Sequence, residues 1–211
     1  MSRIIKTAAT FTPVTLDEAK LHLRIEADTV EEDTTITALV QAAADEVERA
    51  TNYCLAQKTY QLFLDAFPCS SYADWLWSHL DGKIGQTDRI SLLPAPVTAV
   101  SSIKYVDTDG ATQTLAAALY SVDLNSIPAR VVPAYGEAWP STREVMNAVT
   151  VEYVAGWTLA NIGLIPGGFK IAIKWLIAHW YAERQIVTER QRMEIPKGFD
   201  NLIWGLRITR F

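Results

Sequence analysis

Cysteine and histidine are scarce in this chain of 211 residues, which limits the chemistry it can support. The two cysteines, Cys54 and Cys69, do not have metal-ligand spacing, and the sequence predicts reduced thiols rather than a disulfide. Two of the three histidines, His22 and His179, lie among apolar residues of predicted helices, where a structural role is expected. His79 has serines nearby, but there is no nucleophile elbow. The sequence therefore predicts no catalytic residue and no enzyme.

Nucleotide-binding and metal-binding motifs are missing as well. There is no P-loop and no dinucleotide fingerprint, and the glycines around Pro166 are typical of a helix-entry loop. Carboxylates cluster between residues 26 and 33, which leaves two interpretations, a divalent-cation site or a solvated acidic linker. The linker is the expectation, because nothing else in the sequence supports a cation site. We therefore expect no cofactor and no metal.

Long apolar runs and basic clusters are also absent. The longest apolar run, residues 171–180, is interrupted by Lys174 and His179 and is too short to span a bilayer. The first 15 residues have no apolar stretch of signal-peptide length. The 19 basic and 24 acidic residues give a net charge of −5, without the clustered lysine and arginine of a DNA-binding surface. We expect a soluble, intracellular protein with no membrane contact and no specific DNA binding.

Apolar and aromatic residues are plentiful. Hydrophobic residues make up 49% of the chain, which is enough for a substantial core in one domain. Seven tryptophans, eight tyrosines and six phenylalanines are many for this length, and aromatic residues are enriched at subunit contacts. The composition therefore indicates a globular protein that has aromatic residues to spare for an interface.

Helical patterns lie at both ends of the chain. Thr15 and Glu18 have the spacing of a capping box, which predicts a helix that starts there. Apolar residues then recur every three or four positions from residue 34 to residue 53, which predicts a second helix. Helical character returns after Pro166, where residues 169–184 are apolar nearly all round and predict a central, buried helix. Residues 196–206 predict a short last helix.

The middle of the chain is rich in β-forming residues. Strands are predicted at 59–64, 90–93, 97–106, 113–115, 119–122, 129–132 and within 145–157. The expected fold class is α+β, with a helical core built from N- and C-terminal helices and an inserted antiparallel β region. We expect one connected domain over residues 1–211, with N-terminal helices at 1–56, the β insertion at 57–157, and C-terminal helices and a tail at 158–211.

Two segments are candidate partner-binding surfaces. Residues 70–89 form a predicted loop with Trp75 and Trp77, which either contact a partner or fold back onto their own domain. Residues 196–211 mix apolar and basic side chains, and they either dock on their own subunit or insert between neighbouring subunits. We expect this tail to be dispensable for folding and required for assembly. The candidate residues in the tail are Phe199, Leu202, Trp204, Arg207, Arg210 and Phe211.

Six segments follow one another along the chain, PVTLDEAKLHLRI at 13–25, ITALVQAAADEVERATN at 36–52, LLPAPVTAVSSIKYVDTDG at 92–110, ARVVPAYGEAWPSTR at 129–143, NAVTVEYVAGW at 147–157 and IPGGFKIAIKWLIAHWYAER at 165–184. Taken in this order, they resemble the segments of phage head–tail connector (adaptor) proteins, of the phiE125 gp8-like type related to the HK97 gp6-like connectors. The resemblance covers nearly the whole chain, and residues 70–89 depart from it by being longer than the usual link.

This resemblance implies a structural role without an active site. Such proteins form a homo-oligomeric ring, a dodecamer in the virion, between the portal protein and a downstream neck or tail-completion protein. The last helix and tail, residues 196–211, are implied to contact the portal or a neighbouring subunit. DNA passes through the lumen without specific binding, and the protein is in the host cytoplasm during assembly and in the virion neck afterwards. The alternatives are a tail-completion or other minor neck protein and, less favoured, an unrecognised enzyme.

Overall fold

The structure is a computed structural model that describes residues 2–68, 88–182 and 197–208. Its chain divides into two compact units, each built from two separate stretches of sequence. One unit comprises Met1–Ala8 and Lys58–Gly156 and contains the strands. The other comprises Ala9–Gln57 and Trp157–Phe211 and contains the helices. In the described residues, no helix is both long enough and apolar enough to cross a membrane.

The first two helices of the helical unit begin and end where the sequence signals them. Helix α1 spans Leu16–Leu23, and the Thr15 hydroxyl accepts a hydrogen bond from the backbone N–H of Glu18 at 3.2 Å. This is the N-cap that the capping-box spacing predicts. Helix α2 spans Asp33–Thr51 and ends at Asn52, whose φ of 61° lies in the left-handed region. The predicted bounds, 34–53, are within two residues of the observed ones.

Two further helices are described in this unit, α3 at Gly167–Ala182 and α4 at Lys197–Leu206. Helix α3 packs against α1, α2 and α4, so helices from both ends of the chain share one core. This confirms the predicted α+β class with a helical core from the two ends. The most deeply buried large side chains of that core are Val14, Ile36, Val47, Leu55, Phe169, Ile173, Leu176 and Ile177.

A buried lysine fixes the acidic linker between α1 and α2. Lys20 is only 3% exposed, and its Nζ lies 2.5 Å from Asp33 Oδ1. The same ammonium donates hydrogen bonds to the carbonyls of Ala27, at 3.2 Å, and Thr29, at 2.8 Å. A buried charge is tolerated only when it is paired and hydrogen-bonded, and Lys20 meets both conditions. The linker is therefore held by specific contacts along its length, at Ala27, Thr29 and Asp33.

The β unit contains a five-stranded antiparallel sheet. Its order is β1-β2-β8-β4-β5, so the strand at the start of the chain pairs with the strand that follows α2. Alternate residues on one face of β2 and β8, among them Tyr60, Leu62, Val151 and Tyr153, are buried. The strands are β1 Ser2–Thr7, β2 Lys58–Leu64, β4 Val97–Val106, β5 Thr112–Thr114 and β8 Val149–Ala155.

The described part of the β unit also contains a smaller sheet of three strands. Its order is β3-β7-β6, and both pairings are antiparallel. A short 3₁₀ helix at Ala117–Leu119 precedes β6. Another 3₁₀ helix, Leu159–Leu164, belongs to the helical unit and precedes α3. The strands are β3 Ile90–Leu92, β6 Tyr120–Asp123 and β7 Ala129–Pro133.

Two elements differ from the sequence-based expectation. Strand β1 is missing from the prediction, because both of its faces are exposed and it therefore has no alternating pattern. The prediction that the α3 helix is buried all round is wrong for one face, where Ile171 is 47% and Trp175 is 41% exposed. A helix that is apolar on every side does not show in its sequence which side is left uncovered. Residues 183 and 184 of that prediction lie outside the described residues.

Candidate functional site

The described histidines, cysteine and acidic residues that are candidates for chemistry are spread over the helical unit. His22 is exposed on α1, and His179 is half-buried on α3. The Cys54 thiol is buried and donates to the carbonyl of Ala56 at 3.0 Å. In the acidic linker, Asp33 is paired with Lys20, and Glu32 accepts a hydrogen bond from the Tyr181 hydroxyl. Cys69 and His79 lie outside the described residues. No cluster of His, Cys, Asp and Glu that could hold a metal ion occurs in the described ranges.

A cleft of about 370 Å³ lies in the β unit beside the smaller sheet. Among the charged residues that line it, Asp123 accepts hydrogen bonds from the Ser126 hydroxyl at 2.5 Å and from Arg130 Nη2 at 2.6 Å. These two donors, with Ser126 the larger contribution, hold the pKa of Asp123 well below its usual range. The lining residues are Asp88, Arg89, Asp123, Arg130, Val132, Pro133, Ala134 and Glu137, which include no nucleophile and no histidine.

Helix α4 is the element that carries the candidate partner-binding residues. Its inner face is part of its own subunit, since Phe199 is 5% and Ile203 is 8% exposed within the helical core. A Cβ built on Gly168 of α3 would come within 3.2 Å of the Leu206 side chain and 3.7 Å of Leu202. A Cβ built on Gly198, at the other end of α4, would meet Trp175. The two helices therefore run antiparallel and in close contact at Gly168.

Two candidates lie on the outside of the helical unit, Trp204 on the outer face of α4 and Arg207 just after the helix. Trp204 is 72% exposed, and Arg207 follows it as an exposed basic residue. Ile208, just after the helix, is buried, and its backbone N–H donates to the carbonyl of Thr51 at 3.0 Å. Its own carbonyl accepts a hydrogen bond from the Asn52 side chain at 3.4 Å. The end of the described chain is thus fixed against the C-terminal end of α2.

The structure therefore separates the described partner-binding candidates into residues that pack in the core and residues that are exposed. Phe199 is buried in the core and Leu202 packs partly against it, whereas Trp204 and Arg207 face solvent. Of the two interpretations of the tail, docking on its own subunit describes the helix as it is observed. The burial of Phe199 and Ile203 argues against the expectation that residues 196–211 are dispensable for folding. Four further candidates lie outside the described residues, namely Trp75, Trp77, Arg210 and Phe211.

This chain is similar to known proteins both in sequence and in fold. Residues 13–104 match the model of the family described as phage gp6-like head-tail connector protein. This match confirms the resemblance that the sequence segments indicate. The matched region covers α1, α2 and the chain as far as β4, and so it includes parts of both units. Among curated proteins, none matches the chain.

Solved structures extend the likeness of fold to the whole chain. A chain from the virion of a native gene transfer agent (GTA) particle superposes with a TM-score of 0.74 at 23% identity. Chains from the neck of the empty particle, computed with C6 symmetry, and of the native particle, computed with C12 symmetry, give TM-scores of 0.72 and 0.70 at 23% identity. Each comparison covers 100% of this chain and 97% of the other. The likeness of fold therefore extends over both the helical and the β unit.

Proposed function

We propose that this protein is a structural head–tail connector subunit of a tailed phage, prophage or phage-like particle. The observation that carries the proposal is the match of residues 13–104 to the gp6-like connector family. The likeness over the full length to chains from the necks of GTA particles supports it, because that likeness extends to both units. The role is one of assembly rather than catalysis, in keeping with the family's description as a connector.

The proposed assembly is a homo-oligomeric ring, a dodecamer in the virion, between the portal protein and a downstream neck or tail-completion protein. The ring is in the virion neck after assembly, and its subunits are in the host cytoplasm before it. DNA passes through its lumen without specific binding. The net charge of −5 supports this last point, since affinity for phosphates comes from lysine and arginine contacts. The two compact units act together as one connector domain over residues 1–211.

Within this assembly, the outer face of α4 is the proposed contact with the portal or with a neighbouring subunit. Exposed tryptophan and arginine side chains are the types most often found at binding hot spots, and Trp204 and Arg207 lie within one turn of each other. The inner face of the same helix is anchored in the subunit's own core by Phe199 and Ile203. The helix can therefore hold Trp204 in a fixed position, and Arg207 directly follows its last residue.

Mixing the purified protein with the portal protein encoded by the same phage genome tests this proposal. We expect rings in the portal's symmetry, seen as co-sedimentation at micromolar concentration and as an added layer in electron micrographs. Trp204→Ala should weaken the complex at least ~10-fold, the scale of a hot-spot truncation. Leu21→Ala, which removes an exposed apolar side chain from α1, is the matched control and should leave binding unchanged. Absence of co-sedimentation with the unaltered protein would contradict the connector function.

A further inference from the structure

The five-stranded sheet has an exposed strand at its first edge. All six residues of β1 are exposed, and neighbouring residues Ile4 and Ile5 are 49% and 52% exposed on opposite faces of the sheet. The strand pairs with β2 on one side only within the described part of the chain. Exposed edge strands present unpaired backbone groups to other chains, and apolar side chains increase that tendency.

The opposite edge is open at the same level of the sheet. Strand β5 pairs with β4 only through Lys104, Tyr105 and Val106. The preceding stretch of β4, residues 98–102, pairs with β8 on one side, and no described strand covers its other side. Its sequence, TAVSS, contains no charged residue and no proline, which are two of the usual protections of a sheet edge. A third protection is present, because the pairing with β8 shifts register between Val97 and Ala99 and between Val100 and Ser102. The sheet therefore has a second edge that is suited to pairing.

The register of the sheet makes these two edges match each other. The pairings across the sheet place Ile4 of β1 at the same level as Gln61 of β2. They place Glu152 of β8 and Ser102 of β4 at that level too. Thr7 is likewise level with Ala99, through Thr59 and Val154.

The directions of the two edge strands, β1 and β4, are also compatible with pairing. Each neighbouring pair in β1-β2-β8-β4 is antiparallel, so β1 and β4 run in opposite directions. A second copy placed beside β4 in the same orientation would therefore bring its β1 into antiparallel register with residues 98–102.

We propose that β1 of one subunit adds to the free edge of β4 in the next subunit, so that neighbouring copies in the ring share a continuous antiparallel sheet. The inference rests on the proposed ring assembly. A ring needs a head-to-tail interface between two different surfaces of the same chain, and β1 and β4 are two such surfaces. Strand addition supplies affinity through backbone hydrogen bonds, and here it also covers part of Ile4 and Ile5. The occupant is a second copy because the two edges agree in level and direction over Ile4–Thr7, whereas Ser2 would reach the level of Lys104, which already pairs with β5.

Paired cysteines test the proposed contact. Ile4→Cys with Ser102→Cys, and Thr7→Cys with Ala99→Cys, place thiols at matching levels. Both pairs are made in a Cys69→Ser background, so that the buried Cys54 is the one native thiol that remains. Within one subunit the paired positions are three strand spacings apart, about 14 Å, which is too far for a disulfide. Covalent products therefore form only between copies. The crossed pair, Ile4→Cys with Ala99→Cys, is the matched control, because the register displaces it by two residues, about 7 Å, along the strands.

The expected result is a ladder of covalent dimers, trimers and larger species from each matched pair after oxidation of rings assembled on the portal. The crossed pair and the four single-cysteine variants should give no more than a trace. Rings that form normally but give no ladder with either matched pair would overturn the strand-addition interface while leaving the connector function intact. Equal ladders from matched and crossed pairs would overturn the proposed register. Failure of the unaltered protein to form rings with the portal would instead contradict the connector function, and this inference with it.

Discussion

At the scale of single residues, Lys20 is a lysine that is almost completely buried and has its charge paired. Its ammonium contacts Asp33 and two linker carbonyls while the side chain is almost completely buried. Removing one partner of a buried pair leaves the other charge without compensation, and this costs far more than losing a surface pair. The residue therefore links the linker between α1 and α2 to the stability of the helical unit.

We predict that Lys20→Ala lowers the free energy of unfolding by about 2–4 kcal/mol. The matched control is Arg49→Ala, which removes a cation from the exposed pair between Arg49 and Glu46 and should cost less than about 1 kcal/mol. Guanidinium unfolding of the three proteins, followed by circular dichroism, measures both values. Equal losses for the two variants would show that burial of Lys20 has no energetic consequence.

A second prediction at this scale concerns pH. The pKa of Asp123 is held below its usual range, so its contribution to stability is complete above the pKa of the unfolded state, about 3.9, and is lost as pH falls through the folded-state pKa. Asp123→Asn should therefore be less stable than the unaltered protein at pH 7, and this difference should narrow as pH falls below about 3.9.

Unfolding curves measured at pH 7 and at a series of acidic pH values test this dependence. Ser126→Ala is the companion variant, because it removes the largest cause of the lowered pKa and should shrink the effect of pH while leaving the carboxylate in place. A difference between the unaltered protein and Asp123→Asn that is the same at every pH would contradict the assignment.

At the scale of secondary-structure elements, α4 has one face for folding and one for assembly. Phe199 is buried in the core, whereas Trp204 on the opposite side is exposed. We predict that Phe199→Ala lowers the free energy of unfolding by about 3–5 kcal/mol, the cost of truncating a buried phenylalanine. Trp204→Ala should leave stability nearly unchanged and reduce only the binding to the portal. Thermal unfolding together with co-sedimentation separates the two effects, and loss of portal binding without loss of stability in Phe199→Ala would reverse the assignment.

The elements also show what the sequence could and could not predict. Helix α2 and strand β4 are found within two residues of their predicted bounds, because local periodicity and turn residues determine them. Strand β1 could not be predicted, because it becomes a strand only by pairing with β2, more than 50 residues later in the chain. The exposed face of α3 could not be predicted either. When a helix is apolar on every side, its sequence does not show which side packs against a neighbour.

At the scale of the whole molecule, the order of helices, strands and helices was sufficient to predict the α+β class and the shared helical core. The pairing order β1-β2-β8-β4-β5 was not predicted, because contacts between distant segments leave no local signal. The candidate site was predicted in part. Composition identified the aromatic and basic residues of the tail, but only the packing of α4 distinguishes buried Phe199 from exposed Trp204.

The central claim is that this chain forms the connector ring in the neck of a particle, and a cryo-EM map of that neck tests it most directly. The map would be made from particles of the phage or prophage that encodes the chain. We predict a ring of copies of this fold directly beneath the portal, with the outer face of α4 in contact with the portal or with a neighbouring copy. A neck whose ring beneath the portal is built from a different protein, with this chain elsewhere or missing from the particle, would contradict the account.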